Sequence, residues 1–265
     1  MFKKSLLFVT IFLFVFSSFL YSAPGDGGFC SITVMYDNHV FQEGTTANWG
    51  FSCLVRGMEK TILFDAGARS DILFRNMKEL KVQPGEIELF VPSHTHNDHL
   101  GGLSDLLDKN GRITAYIPAA WPSHIEWALI RGRAKIVKIN GPTEIAKGVH
   151  VTGGMGIGIV EQAMILDTPA GLVVITGCSH PGIVSIVAKA REMLDKEIYL
   201  VLGGFHLLDL SEKQILEIID GLKKLGVKKC AATHCTGERA IKLFREAFGG
   251  DYITAGTGFT LTVPD

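Results

Sequence analysis

Three histidines and an aspartate are crowded into one short segment of the chain. His94, His96, Asp98 and His99 follow the β-rich run ELFVP in the order His-x-His-x-Asp-His. An extended backbone can direct alternate side chains to one point, and imidazole nitrogen and carboxylate oxygen suit Zn²⁺, Mn²⁺ or Fe²⁺. Without a metal, so many polar groups would be costly to bury. The segment therefore predicts a site for one or two divalent ions, with zinc as the first expectation.

Further candidate residues follow β-rich runs later in the chain. Cys178 lies in VVITGCSH, His206 in GGFHL and His234 in THCTG. A metal deprotonates a coordinating thiol, but free cysteine is often a core residue, so Cys178 is either a ligand or a packing residue. His206 either contacts substrate or metal, or is a core histidine with a hydrogen-bond partner.

The elements that must position these residues alternate between strands and helices, which is typical of a layered α/β fold. Runs rich in β-branched and aromatic residues predict strands at 31–36, 51–55, 61–65, 88–92, 113–118, 135–139, 172–177, 198–203 and 228–233. Two helical stripes predict core faces, and Ser211 with Gln214 forms a capping pair before the second. The stripes consist of Leu73, Met77 and Leu80, and of Ile215, Ile218, Leu222 and Leu225.

Several other residues carry weaker signals. The glycine-rich run at 153–160 lacks a following helix pattern, so it predicts a turn or mobile loop beside the site rather than a phosphate-binding loop. We expect surface or structural roles for the isolated His39, His124 and His150, and core positions for Trp49, Trp121 and Trp127. The odd number of cysteines, five, does not indicate a disulfide framework.

The N-terminus has the pattern of a signal peptide. Lys3 and Lys4 precede an apolar run from Leu6 to Leu20, which is short for a membrane-spanning helix. We therefore predict a signal peptide at 1–23, a single folded domain at 24–265 and export to the periplasm or the extracellular space; a retained N-terminal anchor is the alternative.

The charge balance bears on partners. Lys plus Arg is 26 against 27 for Asp plus Glu, which argues against nucleic acid and against an anionic lipid surface. A small-molecule substrate is the expected partner, and the oligomeric state is not indicated.

The His-x-His-x-Asp-His motif resembles that of the metallo-β-lactamase superfamily, and further motifs follow in the family's order. LFDAG, with Asp65, is similar to its first motif, in which an aspartate braces the metal-binding loop. GCSH lies where the family has an aspartate bridging two metals, so Cys178 takes that place, and THCTG supplies His234 as the last family histidine. The resemblance covers nearly all of the mature chain. It implies an α/β fold, a four-layered αββα sandwich with the metal site at one rim of the β-sandwich.

The resemblance is most specific to one branch of that superfamily. GCSHPGI, GGFHL and THCTG, together with SITVMYDN and EQAMIL, are most similar to dihydropterin-ribofuranosylaminobenzene phosphate synthase-like proteins.

The same resemblance implies a set of ligands. His94 and His96 would bind a first metal, and Asp98, His99 and His234 a second.

One family ligand is missing from its usual place. No histidine lies between His150 and the GCSH strand. We predict that His180 fills this role, with Glu161 as the reserve candidate.

These ligands imply a metal-dependent hydrolase acting on a small ester, lactone, amide or phosphoester. Two ions sharing a water would lower its pKa from about 15.7 to near 7; Asp98 would orient the hydroxide or take its proton, and Asp65 would hold a ligand imidazole in one tautomer. Two alternatives stay open. One is a pterin-related synthase or transferase, and the other is a non-catalytic metal-binding or redox-sensing protein in which Cys178 alters the metal chemistry.

Overall fold

The computed structural model describes residues 30–265. The predicted signal peptide and residues 24–29 lie outside this range. Within the range, every helix is too short or too polar to cross a membrane.

A seven-stranded sheet forms one half of the molecule, with the spatial order β13-β1-β2-β3-β4-β5-β6. Its strands are β1 (Cys30–Tyr36), β2 (Ser52–Arg56), β3 (Ile62–Phe64), β4 (Leu89–Val91), β5 (Thr114–Pro118), β6 (Lys135–Ile139) and β13 (Thr260–Val263). Strands β3 to β6 run parallel to one another.

A six-stranded sheet forms the other half, with the order β12-β11-β10-β9-β8-β7. Its strands are β7 (Thr143–Ala146), β8 (Val149–Val151), β9 (Met164–Thr168), β10 (Gly171–Thr176), β11 (Ile198–Gly204) and β12 (Lys229–Thr233). Strands β10, β11 and β12 are parallel, so their carboxyl ends lie at one edge of the sheet.

Helices cover the outer face of each sheet. They are α1 (Ser70–Glu79), α2 (Asn97–Leu100), α3 (Leu103–Lys109), α4 (Ser123–Arg131), α5 (Ile183–Leu194), α6 (Glu212–Lys224) and α7 (Glu238–Phe248). Helices α1, α3 and α4 pack on the seven-stranded sheet, and α5, α6 and α7 on the six-stranded sheet. These four layers are the αββα sandwich that the sequence predicts, so the predicted fold class is confirmed.

Strand β10 shows how the sequence produces these layers. Val173 and Ile175 face the apolar core between the sheets, whereas Leu172 and Val174 face the helices. Successive side chains point to opposite faces of a strand, and a strand covered on both faces needs a continuous apolar run. The run LVVI meets that need.

The predicted helical stripes lie where the sequence indicates. Leu73 and Met77 are buried residues of α1, and Ile215 and Leu222 are buried residues of α6. The remaining stripe residues, Leu80, Ile218 and Leu225, are half-buried and pack against the same clusters. The capping pair of Ser211 and Gln214 opens α6 as predicted.

The predicted core position is wrong for two of the three tryptophans. Trp121 is buried, but Trp49 is 48% and Trp127 62% exposed. Trp127 lies two residues from Leu129, the buried residue of α4, and so lies almost opposite it on the helix. Trp49 lies in a loop and contacts His234, with ring centroids 5.1 Å apart.

Candidate metal centre

The loop between β4 and α2 contributes two histidines to a first group of ligand atoms. His94 Nε2 and His96 Nδ1 lie 3.1 Å apart. His180, from the loop after β10, places its ring centroid 4.7 Å from that of His94 and 4.9 Å from that of His96. One ligand atom from each residue lies within 4.8 Å of the others. The structure therefore brings His180 to the place that the sequence predicts for it.

A second group consists of Asp98, His99, Cys178 and His234. Cys178 Sγ lies 3.2 Å from His99 Nε2 and 3.4 Å from His234 Nε2. Asp98 Oδ2 lies 3.4 Å from His234 Nε2 and 3.6 Å from His99 Nε2. Ligands about 2.0 to 2.3 Å from one tetrahedral ion lie roughly 3.3 to 3.8 Å apart. The spacing fits one ion and favours the ligand interpretation of Cys178.

Each group contains residues from both sheets. The first combines His94 and His96, which follow a strand of the seven-stranded sheet, with His180 from the six-stranded sheet. The second likewise takes two residues from each half. The two groups are adjacent, since the ring centroids of His94 and His99 lie 4.1 Å apart.

Three of the imidazoles are held through Nδ1, which leaves Nε2 directed at the site. The pairs are His94 Nδ1 with Ser93 Oγ (2.9 Å), His99 Nδ1 with Asp65 Oδ2 (2.6 Å) and His234 Nδ1 with Asn38 Oδ1 (3.0 Å). Such partners fix the tautomer and ring orientation that metal binding requires.

Asp65 organises the histidine loop from beneath. Its buried carboxylate accepts hydrogen bonds from Ser93 N (2.6 Å), Ser93 Oγ (2.7 Å) and His99 Nδ1. Because Ser93 Oγ donates to Asp65, it accepts from His94 Nδ1. Asp65 thus orients His99 directly and His94 through Ser93, as predicted for a bracing residue. Burial opposes a charge on His99, but Asp65 holds its pKa above the ordinary value.

The donor set fits a metal ion. His180 Nε2 is buried without a hydrogen-bond partner in the described chain, and an unpartnered buried nitrogen is costly. Burial and the neighbouring His206 and His96 lower the pKa of His180 to about 4. Burial and nearby histidines also lower the pKa of His94. Ligation requires neutral imidazole, so both rings are in the form that binds.

Glu161 holds the GCSH loop in shape. Its fully buried Oε1 accepts from the backbone N–H of Gly177 (3.2 Å), Cys178 (3.0 Å) and Ser179 (2.8 Å), and Oε2 accepts from that of His180 (2.8 Å). The carboxylate is therefore engaged with backbone, and it is absent from the described ligand groups. The structure does not support Glu161 as a reserve ligand. Through these hydrogen bonds Glu161 positions Cys178 of the second group and His180 of the first group.

Replacing Glu161 should damage both groups together. Glu161→Ala leaves buried N–H groups unpaired, so we expect the free energy of unfolding to fall by about 3 kcal/mol or more, with loss of bound metal. Glu161→Gln, which keeps one accepting oxygen, should lose less. Urea unfolding and elemental analysis measure the two effects. A stable Glu161→Ala protein with full metal content would contradict this role.

His206 and Cys235 adjoin the two groups. The ring centroid of His206 lies 4.5 Å from that of His180, and His206 is exposed. Cys235 donates a long hydrogen bond to the carbonyl oxygen of Cys178 (3.7 Å). A hydrogen bond that the His206 ring donates to the Cys235 sulfur raises the pKa of His206. The predicted catalytic role of His206 stays a prediction.

Backbone strain is concentrated here. Asp65, Ser179, His206 and His234 all have φ between 50° and 62°, a region that non-glycine residues rarely adopt. Such residues persist where the surroundings determine them and are common at functional sites.

Asn38 and Asp37 support His234, a role that the motif SITVMYDN does not reveal by itself. Asn38 accepts from His234 Nδ1 and donates to the backbone oxygen of His234 (3.1 Å). Asp37 accepts from Thr233 Oγ1 at 2.7 Å. Both follow β1, so they join the two sheets next to the second group.

Asp37 should give stability a specific pH dependence. Burial raises its pKa from 3.8 to about 6. A raised carboxyl pKa means that the folded state binds the proton more tightly, so the stability contribution is full below about pH 4 and is lost as pH rises to 6. Asp37→Asn cannot lose that proton. Urea unfolding should show the variant gaining stability relative to wild type between pH 4 and 6, and parallel curves would contradict this assignment.

Comparisons with known proteins point to one superfamily. Residues 50–186 match the metallo-β-lactamase superfamily model. The chain is 32% identical over 241 residues to 7,8-dihydropterin-6-methyl-4-(β-D-ribofuranosyl)-aminobenzene-5'-phosphate synthase of Methanocaldococcus jannaschii, covering 74% of this chain and 82% of that one.

Solved structures show the same fold. Tm1679, described as a metal-dependent hydrolase of the β-lactamase superfamily, has a TM-score of 0.77 and 30% identity, with 89% of this chain and 100% of that one covered. Zn²⁺-bound PqqB from Methylobacterium extorquens has a TM-score of 0.58 and 13% identity, with 87% and 99% covered, and shows the fold alone. The chain therefore belongs to the metallo-β-lactamase superfamily, in its dihydropterin-ribofuranosylaminobenzene phosphate synthase-like branch.

Proposed function

We propose that this protein is a metal-dependent hydrolase of a small ester, lactone, amide or phosphoester. The observation that carries the proposal is the convergence of seven ligand side chains into two adjacent groups. The similarity to Tm1679, a metal-dependent hydrolase that is 30% identical to this chain, also supports it.

In this proposal His94, His96 and His180 hold one divalent ion, and the four residues of the second group hold another; zinc suits both sets, with Mn²⁺ or Fe²⁺ as alternatives. When bound, such ions lower the pKa of water and stabilise negative charge on a carbonyl or phosphoryl oxygen.

Asp98 is the candidate residue for orienting water at the second group. Its side chain is 19% exposed, whereas those of His99 and His234 are fully buried. Burial raises the pKa of Asp98, but the hydrogen bond with His234 and the charge of His99 outweigh it and hold the pKa well below the ordinary range. The carboxylate is therefore ionised at neutral pH, so it can bind a metal or orient a water molecule by accepting its hydrogen bond.

His206 is placed to contact the substrate. It is exposed beside His180, so its imidazole can donate to a substrate oxygen at the edge of the site. Asp65 stays buried beneath the histidines and acts through their orientation.

The test is hydrolysis by protein purified without added metal. We expect activity towards at least one of a panel of ester, lactone, phosphodiester and β-lactam reporters, its loss on chelation and its return with Zn²⁺. His124→Ala, at an exposed site on α4, is the matched control for histidine variants. Hydrolytic activity that survives complete metal removal would contradict the proposal.

A synthase or transferase is the second candidate. The 32% identity with the Methanocaldococcus jannaschii synthase favours it, and in that case the same ligands would position a phosphorylated or pterin group. Consumption of a phosphoribosyl substrate without reporter hydrolysis would select this candidate. Full metal content with no turnover in either assay would select a non-catalytic metal-binding protein.

We also propose that the chain is exported. The support is the pattern of Lys3, Lys4 and the apolar run that follows. Fractionation of cells expressing the full chain should place it in the periplasm or medium, shortened at its N-terminus. Full-length protein in the cytosol would contradict export, and a full-length membrane-bound form would indicate a retained anchor.

A further inference from the structure

A third group of ligand atoms lies beside the two groups described above. Cys178 Sγ, Cys235 Sγ and a ring nitrogen of His206 all lie within 4.8 Å of one another. We call these three residues the sulfur group. The proposed hydrolysis uses Cys178 as a ligand and His206 towards substrate, but it gives Cys235 no role.

The surroundings shield the sulfurs and leave one side open. Cys178 is 3% and Cys235 1% exposed, whereas His206 is exposed to solvent. An ion can therefore enter past His206 and reach two thiols that water scarcely contacts. A dry, partly enclosed position favours soft ligands over competing water.

Gly204, the last residue of β11, leaves space for the Cys235 side chain. A Cβ at Gly204 would lie 2.6 Å from Cys235 Sγ and 2.6 Å from the backbone oxygen of Gly177. Both contacts are too short for any side chain, so only glycine fits. His206, two residues later, adopts a φ of 54°, a left-handed conformation that non-glycine residues rarely adopt.

The donor set differs from those of the other two groups. It contains two sulfurs and one nitrogen and no carboxylate, and soft thiolate ligands select thiophilic ions such as Cu(I). Two thiolates bound at about 2.3 Å to one ion lie at most roughly 4.6 Å apart. The ligand atoms of the sulfur group lie within 4.8 Å of one another, which is close to this limit.

We propose that Cys178, Cys235 and His206 form a third metal site, selective for a thiophilic ion such as Cu(I), with the Cys178 sulfur shared with the second group. When the second group holds its ion, Cys178 is already a thiolate, so Cu(I) binding releases one proton, from Cys235, and no electron is transferred. The site concerns metal binding only, so it stands or falls independently of the reaction catalysed.

The test counts metals in the intact protein. Wild type is loaded with Zn²⁺ under anaerobic, reducing conditions and then titrated with Cu(I) against a chromophoric Cu(I) chelator. We expect one further equivalent of Cu(I) to bind with zinc retained. Cys235→Ser and His206→Ala should each weaken Cu(I) binding at least about tenfold, the loss typical even of residues that only support a ligand, without changing the zinc content.

Matched variants control for altered folding. His124→Ala replaces an exposed histidine and Cys230→Ser a buried thiol of β12, both outside the sulfur group, and they should bind Cu(I) as wild type does. Because His206 is exposed, His206→Ala tests the proposal even if Cys235→Ser folds poorly. Wild-type Cu(I) affinity in His206→Ala and Cys235→Ser, or displacement of zinc one for one by Cu(I), would overturn it.

Discussion

Replacing His180 by alanine should remove one ion per chain and lower the hydrolytic rate by about a thousandfold or more. The first group has three ligand atoms, and a site that retains only His94 and His96 holds its ion weakly. The second group keeps all four of its ligands, so the remaining ion should stay bound. Elemental analysis and the rate on the best reporter substrate measure the two effects.

Two comparisons make the result for His180 specific. His124→Ala should keep the wild-type metal content and rate. The backbone N–H of His180, which donates to Glu161, is unchanged in the alanine variant, so unfolding of the metal-free protein should shift little. A His180→Ala protein that retains two ions would show that His180 is not a ligand.

Asp65→Ala should have the largest effect on stability. The carboxylate is fully buried and accepts from Ser93 N, Ser93 Oγ and His99 Nδ1. Its removal leaves these donors unpaired, and we expect the free energy of unfolding to fall by about 3 to 5 kcal/mol. Urea unfolding of metal-free protein measures this loss without any contribution from bound ions.

The Asp65→Asn variant distinguishes the contribution of Asp65 to folding stability from its role in orienting the His99 ring. The amide has nearly the same volume, but its NH₂ group faces donors and favours the wrong tautomer of His99. We therefore expect a smaller loss of stability than in Asp65→Ala together with at least about tenfold weaker metal binding. Equal metal affinity in wild type and Asp65→Asn would show that the carboxylate does not orient the ligand.

Much of the fold could be predicted because its strands are covered on both faces. LVVI in β10 and the other long apolar runs match observed strands to within a residue or two. Strands β7, β8 and β13, and helices α3, α4, α5 and α7, were not predicted. Strand β7 is partly exposed and β8 has only three residues, so neither offers a distinct periodicity. Pairing with neighbouring strands stabilises them instead.

The site was predictable where its residues are close in sequence. His94 to His99 form a local motif, and His180, two residues after Cys178, is the candidate for a ligand role that the family resemblance implies. Glu161, Asn38 and Cys235 reach the site through pairings between distant segments, so the motifs that contain them do not show which atoms they contact. Their roles depend on which strand ends meet at the rim.

The position of the ligands on both sheets links folding to metal supply. Each ion would connect chain segments that are 56 or more residues apart, and its binding free energy would add directly to the free energy of unfolding. In a metal-starved cell the newly made chain would open more often and be cleaved by proteases sooner. Abundance of the protein would then follow the availability of its ions even at constant synthesis.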